Sequence, residues 1–227
     1  MTDQPLPAVF VADSIGLDFL NSVATPIDEQ VEWVGSGEGL LSWLSQAELV
    51  PQDVLDSFGT SAAPGELDAV ANQARALREW FRGFVVRHMG KPLKAAVVAE
   101  LGPLNRVLAR DEEFGQVVAQ TNPANGSGGI GLEWELRRRW RSAESLLIPI
   151  AQSMANLVTA EDFSDVKACQ GHNCSLLFVD HTRGRARRWC SMAVCGNRAK
   201  QAAHRDRSAK GSSPAAGATK KPRGLRA

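Results

Sequence analysis

All four cysteines of the chain lie within one stretch of 27 residues near the C-terminus, at Cys169, Cys174, Cys190 and Cys195. They form two C-x4-C pairs that are separated by fifteen residues. A zinc ion prefers four soft or borderline ligands in a tetrahedron, and two short thiol pairs joined by a loop can supply them. The sequence therefore predicts that these four cysteines bind one zinc ion in a structural role.

The expected cellular location supports this interpretation. The N-terminus has no basic segment ahead of an apolar run, and no apolar stretch reaches the roughly 18 residues of a membrane span. We therefore expect a cytoplasmic protein without a membrane segment. Cysteines stay reduced in the cytoplasm, so clustered cysteines there favour metal binding over disulfides.

The residues around the cysteines predict a treble-clef-like finger, in which a knuckle, a hairpin and a helix follow one another. SLLFVD (175–180) alternates like a strand, and ARRW (186–189) can return as a second strand. Ser191 is a plausible N-cap for a helix that runs through Asp206. His172 could compete as a ligand, but four thiolates already fill a structural zinc shell and leave no position for a reactive water. The chain contains no G-x-S-x-G, P-loop or H-E-x-x-H motif, so we expect no enzyme.

Charge is distributed unevenly along the chain, although the net charge is only +1. The segment from Arg183 to the C-terminus contains 13 of the 26 Lys and Arg residues, but one of the 25 acidic residues. A basic C-terminal part on an acidic body predicts a polyanionic partner. The alternative is a basic tail that only improves solubility.

A helix after Cys190 would have two different faces, because successive residues turn by about 100°. Met192, Cys195, Ala199, Ala202 and Ala203 fall on the metal side, and the opposite side presents groups that can contact bases and phosphates. The residues predicted to bind DNA are Arg183, Arg185, Arg187, Arg188, Asn197, Arg198, Lys200, Gln201, His204 and Arg205. A zinc-stabilised module that binds another protein, without touching DNA, is the alternative.

The rest of the chain predicts a mainly α fold, with an N-terminal multi-helix domain, a small β-hairpin and the C-terminal treble-clef-like finger. Apolar spacing predicts helices over 14–25, 39–50, 66–89, 92–110 and 138–160. We expect Gly102-Pro103 to kink or divide the fourth helix and Pro149 to bend the last one. Residues 57–65 look like a loop, and alternation predicts a hairpin from 113–120 and 130–136.

Asp18 and Asn21 are polar residues within an apolar helix. They either bond neighbouring backbone, the commoner case for buried polar groups, or they line a ligand pocket. Such a pocket for a small-molecule effector would be formed by Asp18, Asn21, Arg78 and Trp134.

The run RRWCSMAVCGNRAK (187–200), preceded by C-x4-C and an LFVD strand, closely resembles the bacterial CGNR zinc-finger proteins. LDFLNS, LLSWL, ALREWFRGF and IPIAQSMANLV resemble the helical partner domain of that family, so the resemblance covers nearly the whole chain. It implies a stress-response transcription regulator whose finger contacts DNA. The helical domain would sense an effector or form a homodimer.

We accordingly divide the chain into a helical regulatory domain (1–162), a CGNR-type four-cysteine finger (163–207) and a disordered basic tail (208–227). With this division, Cys190→Ser should release the metal and unfold the finger while it spares the helical domain.

Overall fold

The computed structural model describes residues 6–25, 29–120 and 131–211. These residues contain seven α-helices, α1 (Ile15–Leu20), α2 (Gly37–Gln46), α3 (Gln52–Ser61), α4 (Glu66–His88), α5 (Gly102–Leu108), α6 (Leu147–Ala160) and α7 (Asn197–Gly211). Three antiparallel pairs of strands join β1 (Val23–Ala24) to β2 (Val31–Glu32), β3 (Glu113–Ala119) to β4 (Leu132–Arg138), and β5 (Val166–Ala168) to β6 (Leu177–Val179). The predicted mainly α architecture is confirmed. None of the helices described is both long and apolar enough to cross a membrane.

Helix α1 lies at the centre of the core, and five of its six residues are buried. It contacts α4 and α6 of the helical body and also strand β6 of the finger. Helix α4 lies along the body, and the apolar stripe that its spacing predicts is buried at Val70, Ala74, Leu77, Phe81 and Phe84. The LDFLNS segment is therefore buried between two helices of the body and the finger.

Several predicted helix bounds are wrong. Helix α6 begins at Leu147 and not at residue 138, because residue 138 is the last one of β4, and α2 ends at Gln46 and not at residue 50. Helix α1 ends at Leu20 instead of continuing to residue 25, because Val23 and Ala24 pair with β2. Helix α3 continues to Ser61, where a loop was expected, since Leu55 and Phe58 both pack against the core at helical spacing.

The two predicted proline effects have different outcomes. Gly102-Pro103 divides the fourth predicted helix, as expected, into a 3-10 segment (Ala95–Leu101) and α5. Pro149, however, is the third residue of α6. The first N–H groups of a helix have no partner within it, so a proline there removes no hydrogen bond and the predicted bend has no cause.

The predicted β-hairpin is present as β3 and β4, with Val117 opposite Trp134. Its base is attached to the body through Arg138, whose guanidinium lies 2.6 Å from the carboxylate of Asp111 and 3.0 Å from the side-chain oxygen of Gln152 on α6. Residues 121–129, between the two predicted strands, lie outside the described residues.

The finger differs from the prediction in the pairing of its hairpin. Strand β6 pairs with β5, which precedes the first cysteine pair, and not with residues 186–189. Those residues are in an irregular segment that keeps one backbone contact with the knuckle, from Gln170 N to Arg188 O at 2.9 Å.

The last helix begins and ends differently from the prediction. Ser191 has the extended backbone of an N-cap, but its side chain makes no capping bond, and a π-helical turn (Met192–Gly196) precedes α7. Helix α7 continues to Gly211, past the predicted end at Asp206 and into the segment predicted as a tail. The remaining tail residues, 212–227, lie outside the described residues. The domain boundaries at 162 and 207 stay predictions.

Candidate metal centre and nucleic-acid surface

The four cysteine sulfurs converge between the β5–β6 turn and the start of α7. Their Sγ atoms all lie within 4.8 Å of one another. The Sγ atom of Cys190 is 3.8 Å from that of Cys174 and 3.7 Å from that of Cys195. A tetrahedron with Zn–S distances of about 2.3 Å has sulfur–sulfur edges of about 3.8 Å, whereas sulfurs in a disulfide are about 2.05 Å apart. The positions of the sulfurs therefore fit a zinc ion.

The backbone around Cys169 is shaped to hold this cluster. The N–H groups of Gly171 and Cys190 donate to Cys169 Sγ at 3.4 and 3.3 Å. Such donors orient a ligand and stabilise the negative charge of a thiolate. A Cβ atom on Gly171 would lie 2.8 Å from Cys195 Sγ, so this turn needs glycine to approach the second cysteine pair. His172 is exposed and is not a member of the ligand cluster.

Thiols packed this closely do not all ionise without a cation. A hydrogen bond with Cys190 stabilises the Cys174 thiolate and lowers the pKa of Cys174 to about 5. The same bond, together with burial, raises the pKa of Cys190 well above its usual range. Burial raises the pKa of Cys195 to about 12. A divalent cation would balance the thiolate charge, and four sulfurs would complete its tetrahedral shell.

Asp180, the last residue of the LFVD motif, organises the loop between β6 and Cys190. Its fully buried carboxylate accepts hydrogen bonds from Lys167 Nζ at 2.6 Å, from Arg187 N at 2.8 Å, and from N and Oγ1 of Thr182 at 3.0 and 2.6 Å. Burial opposes ionisation of Asp180, but these donors hold the pKa of its carboxyl well below the usual range. One buried carboxylate thus determines the path of the basic loop.

Arg187 attaches the finger to the N-terminal segment. Its guanidinium donates to Val11 O at 2.8 Å and to Cys190 O at 2.6 Å, and it forms an ion pair with Asp13. It also lies over the ring of Phe178, 4.3 Å from the ring centre. All of these contacts are made to groups of the protein itself. We therefore leave Arg187 out of the proposed DNA surface, although the sequence analysis includes it among the predicted DNA contacts.

The side chain of Asn21 joins α1 to β6. Its Nδ2 donates to Leu177 O at 2.9 Å, and Leu177 N donates to its Oδ1 at 3.0 Å. Beside it, Val179 N donates to Ala12 O at 2.8 Å. The edge of β6 that faces away from β5 is therefore bonded by the helical body, and the finger and the body share one buried core.

The described part of α7 has the two faces that the sequence predicts. One face continues from the buried Cys195, just before the helix, and carries Ala199 and Ala202, which are half-buried. The side chain of Ala203 lies outside the described residues. The other face is exposed at Asn197, Arg198, Lys200, Gln201, His204 and Arg205. Met192 is 50% exposed instead of facing the metal, because residues 192–196 form a π-helical turn to which the α-helical angle does not apply.

The other predicted DNA contacts are exposed in the loop before Cys190. Arg183 is exposed, and Arg185 is exposed but pairs with Asp165 at 3.2 Å. Arg188 donates to Gln170 Oε1 at 2.7 Å and lies over the ring of Trp189. Two of these three arginines are therefore already oriented by neighbouring side chains.

The four residues predicted to line a ligand pocket have different surroundings in the structure. Asn21 binds β6, as above. The buried Arg78 donates to Ser22 Oγ at 2.9 Å and pairs with Glu32 at 2.6 Å. Trp134 is 67% exposed on the hairpin. Polar residues within an apolar helix are expected to be buried, but the sequence does not indicate which groups form hydrogen bonds with them.

Asp18, the fourth of these residues, holds the N-terminal segment that contacts the finger. Its buried carboxylate accepts from Val11 N at 2.9 Å and Ala12 N at 3.0 Å. Burial outweighs these donors and raises the pKa of Asp18 to about 6. The folded chain therefore binds this proton more tightly than the unfolded chain does.

Asp18→Asn is expected to remove a pH-dependent loss of stability. As pH rises from about 4 to about 6, the wild type should lose up to about 3 kcal/mol relative to the variant, because ionisation of the buried carboxyl costs free energy only in the folded state. Urea unfolding of both proteins across this range measures the difference in the free energy of unfolding. Both proteins contain the same cysteines, so the effect of cysteine protonation cancels in this difference. Asp53→Asn, at an exposed position of α3, should show no such step, and a constant difference for Asp18→Asn would contradict the expectation.

Sequence reasoning missed Asp180 and the inward position of Arg187. A single acid that directly follows three apolar strand residues was the available signal for Asp180. No local signal distinguishes Arg187 from Arg188, because only the tertiary contacts with Val11 and Phe178 do so.

Comparison with known families covers most of the chain. A family model described as "CGNR zinc finger" matches residues 166–208. The ABATE model, described as "Putative stress-induced transcription regulator", matches residues 13–161. No curated protein matches the chain in a sequence search.

Proposed function

The chain belongs to the ABATE family, and on this premise we propose that it is a stress-responsive transcription regulator whose zinc finger binds DNA. The observation that carries the proposal is the exposed face of α7. It presents six amide, imidazole or cationic side chains immediately after the metal ligand Cys195. We place the protein in the cytoplasm, where thiols stay reduced and can hold zinc.

The residues of this surface suit different parts of a DNA contact. Lysine and arginine neutralise phosphates, which supplies most of the sequence-independent affinity. Asn197 and Gln201 are exposed amides that can bond adenine edges. The metal has a structural role in this proposal, because four thiolates leave no coordination position for a reacting water. We accordingly propose no enzymatic activity.

Binding of the full chain to duplex DNA should weaken steeply with salt. If about six cations contact phosphates, affinity should fall about a thousandfold between 50 and 200 mM salt. The slope of log affinity against log salt is negative. Replacing both Arg198 and Lys200 with alanine should reduce its magnitude by about two. Fluorescence anisotropy with labelled duplex DNA measures both quantities.

The matched control is Arg137→Ala together with Arg139→Ala. These two exposed arginines lie at and just beyond the end of β4, so their loss changes the net charge equally outside the finger. It should leave the slope nearly unchanged. Absence of DNA binding at low salt, binding that ignores salt, or equal effects of the two double variants would refute the proposal.

The second candidate is a finger that binds another protein without direct DNA contact. The observation in its favour is that Met192 and Val194, in the turn before α7, are 50% and 44% exposed. If this candidate is right, replacing both with serine should abolish capture of a protein partner from nuclease-treated extract, and the wild type itself should not bind duplex DNA. For the DNA-binding proposal, this variant should bind DNA like the wild type, and Arg198→Ala with Lys200→Ala should bind it more weakly.

We also propose that the helical domain senses a small uncharged molecule, at a place different from the one that the sequence predicts. A cavity of about 560 Å3 is lined by Trp33 and Trp43 and also by Glu32 and Glu38. The indole N–H of Trp43 is buried and has no hydrogen-bond partner among the described residues. That N–H is closed off from the cavity, so a ligand would contact the tryptophan rings and not the N–H. The two rings suit a flat apolar molecule, whereas the two acids disfavour an anion.

Benzamide and benzoate test this site, because they share a ring but differ in charge. In nitrogen-labelled protein, benzamide should shift the indole N–H resonance of Trp43 at millimolar concentration, and benzoate should do so more weakly. Ser42→Phe, at the exposed edge of the cavity, should block the shift. No shift with benzamide, or an undiminished shift in this variant, would count against the site.

A further inference from the structure

The hairpin β3–β4 presents one apolar side to solvent. Side chains alternate along a strand, and the register places Gly115, Val117 and Ala119 on the same side as Leu136, Trp134 and Leu132. The four large side chains of this face are exposed, at 63% for Val117, 70% for Leu132, 67% for Trp134 and 60% for Leu136. We call these six residues the hairpin face. None of the six is charged.

This face is unusual for a hairpin in water. Two-stranded hairpins are marginally stable unless they pack against something. The four large side chains expose on the order of 500 Å2 of apolar surface, a size at which patches on monomers are often functional. The opposite side carries Glu133, Glu135 and Arg137, which suit solvent. The same side carries one charged pair, Glu113 and Arg138, at the base of the hairpin, where Arg138 is bonded to Asp111 and Gln152 of the body. The six uncharged residues beyond this pair are therefore the part of the hairpin that gains from being covered.

The hairpin face is also ordered locally. A Cβ atom on Gly115 would lie 1.7 Å from the Trp134 ring, so glycine lets this ring lie flat across the neighbouring strand. A ring already held against its own sheet loses little freedom when a partner covers it. Large rigid aromatic side chains of this kind often dominate the binding energy of protein interfaces.

We propose that two copies of the chain form a dimer by packing their hairpin faces together. Nucleic acids and anionic membranes require cations, and a charged peptide requires a countercharge, but this face has neither to offer. A second copy of the chain has the same uncharged apolar face. When both copies use this same patch, no further copy can be added, so the assembly is a dimer. Two such faces bury on the order of 1,000 Å2, near the lower limit for a specific interface, so the dimer should dissociate in the micromolar range. The proposal does not depend on DNA binding.

The molar mass of the full chain tests this dimer. Analytical ultracentrifugation from about 1 to 100 µM, a range that brackets a micromolar Kd, should show a shift from one chain of 24.5 kDa to twice that mass. Val117→Glu and Val117→Lys should each be monomeric, and an equal mixture of the two should dimerise again. Glu133→Lys, on the opposite side of the same hairpin, should dimerise like the wild type. Zinc content and circular dichroism check that each variant is folded.

Three results would overturn the proposal. The wild type could stay a single chain throughout the concentration range. A dimer could survive both Val117 variants, which would place the interface elsewhere. The wild type could form assemblies that grow beyond two chains, which would mean that this face binds a different surface of the next copy.

Discussion

Cys190→Ser is expected to abolish zinc binding and to unfold the finger. Structural zinc contributes about 10–16 kcal/mol of apparent binding free energy in zinc-finger peptides, which is comparable to the total stability of about 5–15 kcal/mol of a domain. Cys190 is central to the cluster, since its Sγ lies within 3.8 Å of two other sulfurs and its backbone N–H donates to the third. Metal analysis of the purified variant should find well under one zinc per chain.

The structure predicts that this damage reaches the helical body. Strand β6 is bonded to the body through Asn21 and Ala12, and Phe178 is fully buried in the shared core. The sequence alone predicts a helical domain that survives loss of the finger. Because these contacts cross that boundary, we instead expect faster hydrogen exchange in α1 of the variant. A variant that keeps its zinc would refute the ligand assignment, and unchanged exchange in α1 would refute the coupling.

Ser191→Ala is the matched control for this experiment. Ser191 is next to Cys190, and its side chain makes no capping hydrogen bond to the following turn. The control variant should keep one zinc per chain and the exchange pattern of the wild type.

Asp180→Ala should destabilise the folded protein by about 3–5 kcal/mol, because it removes one partner of a buried charge network. The ammonium group of Lys167 and the N–H groups of Thr182 and Arg187 would lose the carboxylate that they share. The basic loop, whose path depends on this carboxylate, should also become more accessible to protease. Urea unfolding with zinc present measures the change in the free energy of unfolding.

Thr182→Ala provides the comparison. It removes only one donor to Asp180, the hydroxyl at 2.6 Å, and leaves the carboxylate with its other partners. It should therefore cost about 1 kcal/mol. If the Asp180 variant unfolded at the same urea concentration as the Thr182 variant, the buried carboxylate would not be the organising group of the loop.

The features of this protein that depend on short spacing along the chain can be predicted from the amino-acid sequence. The two cysteine pairs indicate the metal, the stripe from Val70 to Phe84 indicates α4, and alternation around Trp134 indicates the hairpin. Each pattern arises because neighbouring residues in a helix or strand have a regular direction. The same regularity separates the buried and exposed faces of α7 after Cys195, but it fails in the π-helical turn at Met192.

The contacts between residues far apart in the chain are known only from the folded structure. The partner of β6, the bond from Asn21 to Leu177 across 156 residues, and the bond from Arg187 to Val11 across 176 residues have no local signal. Arg187 and Arg188 are chemically identical neighbours. One lies inward over Phe178 and the other outward over Trp189, because the path of the loop around Asp180 sets their directions.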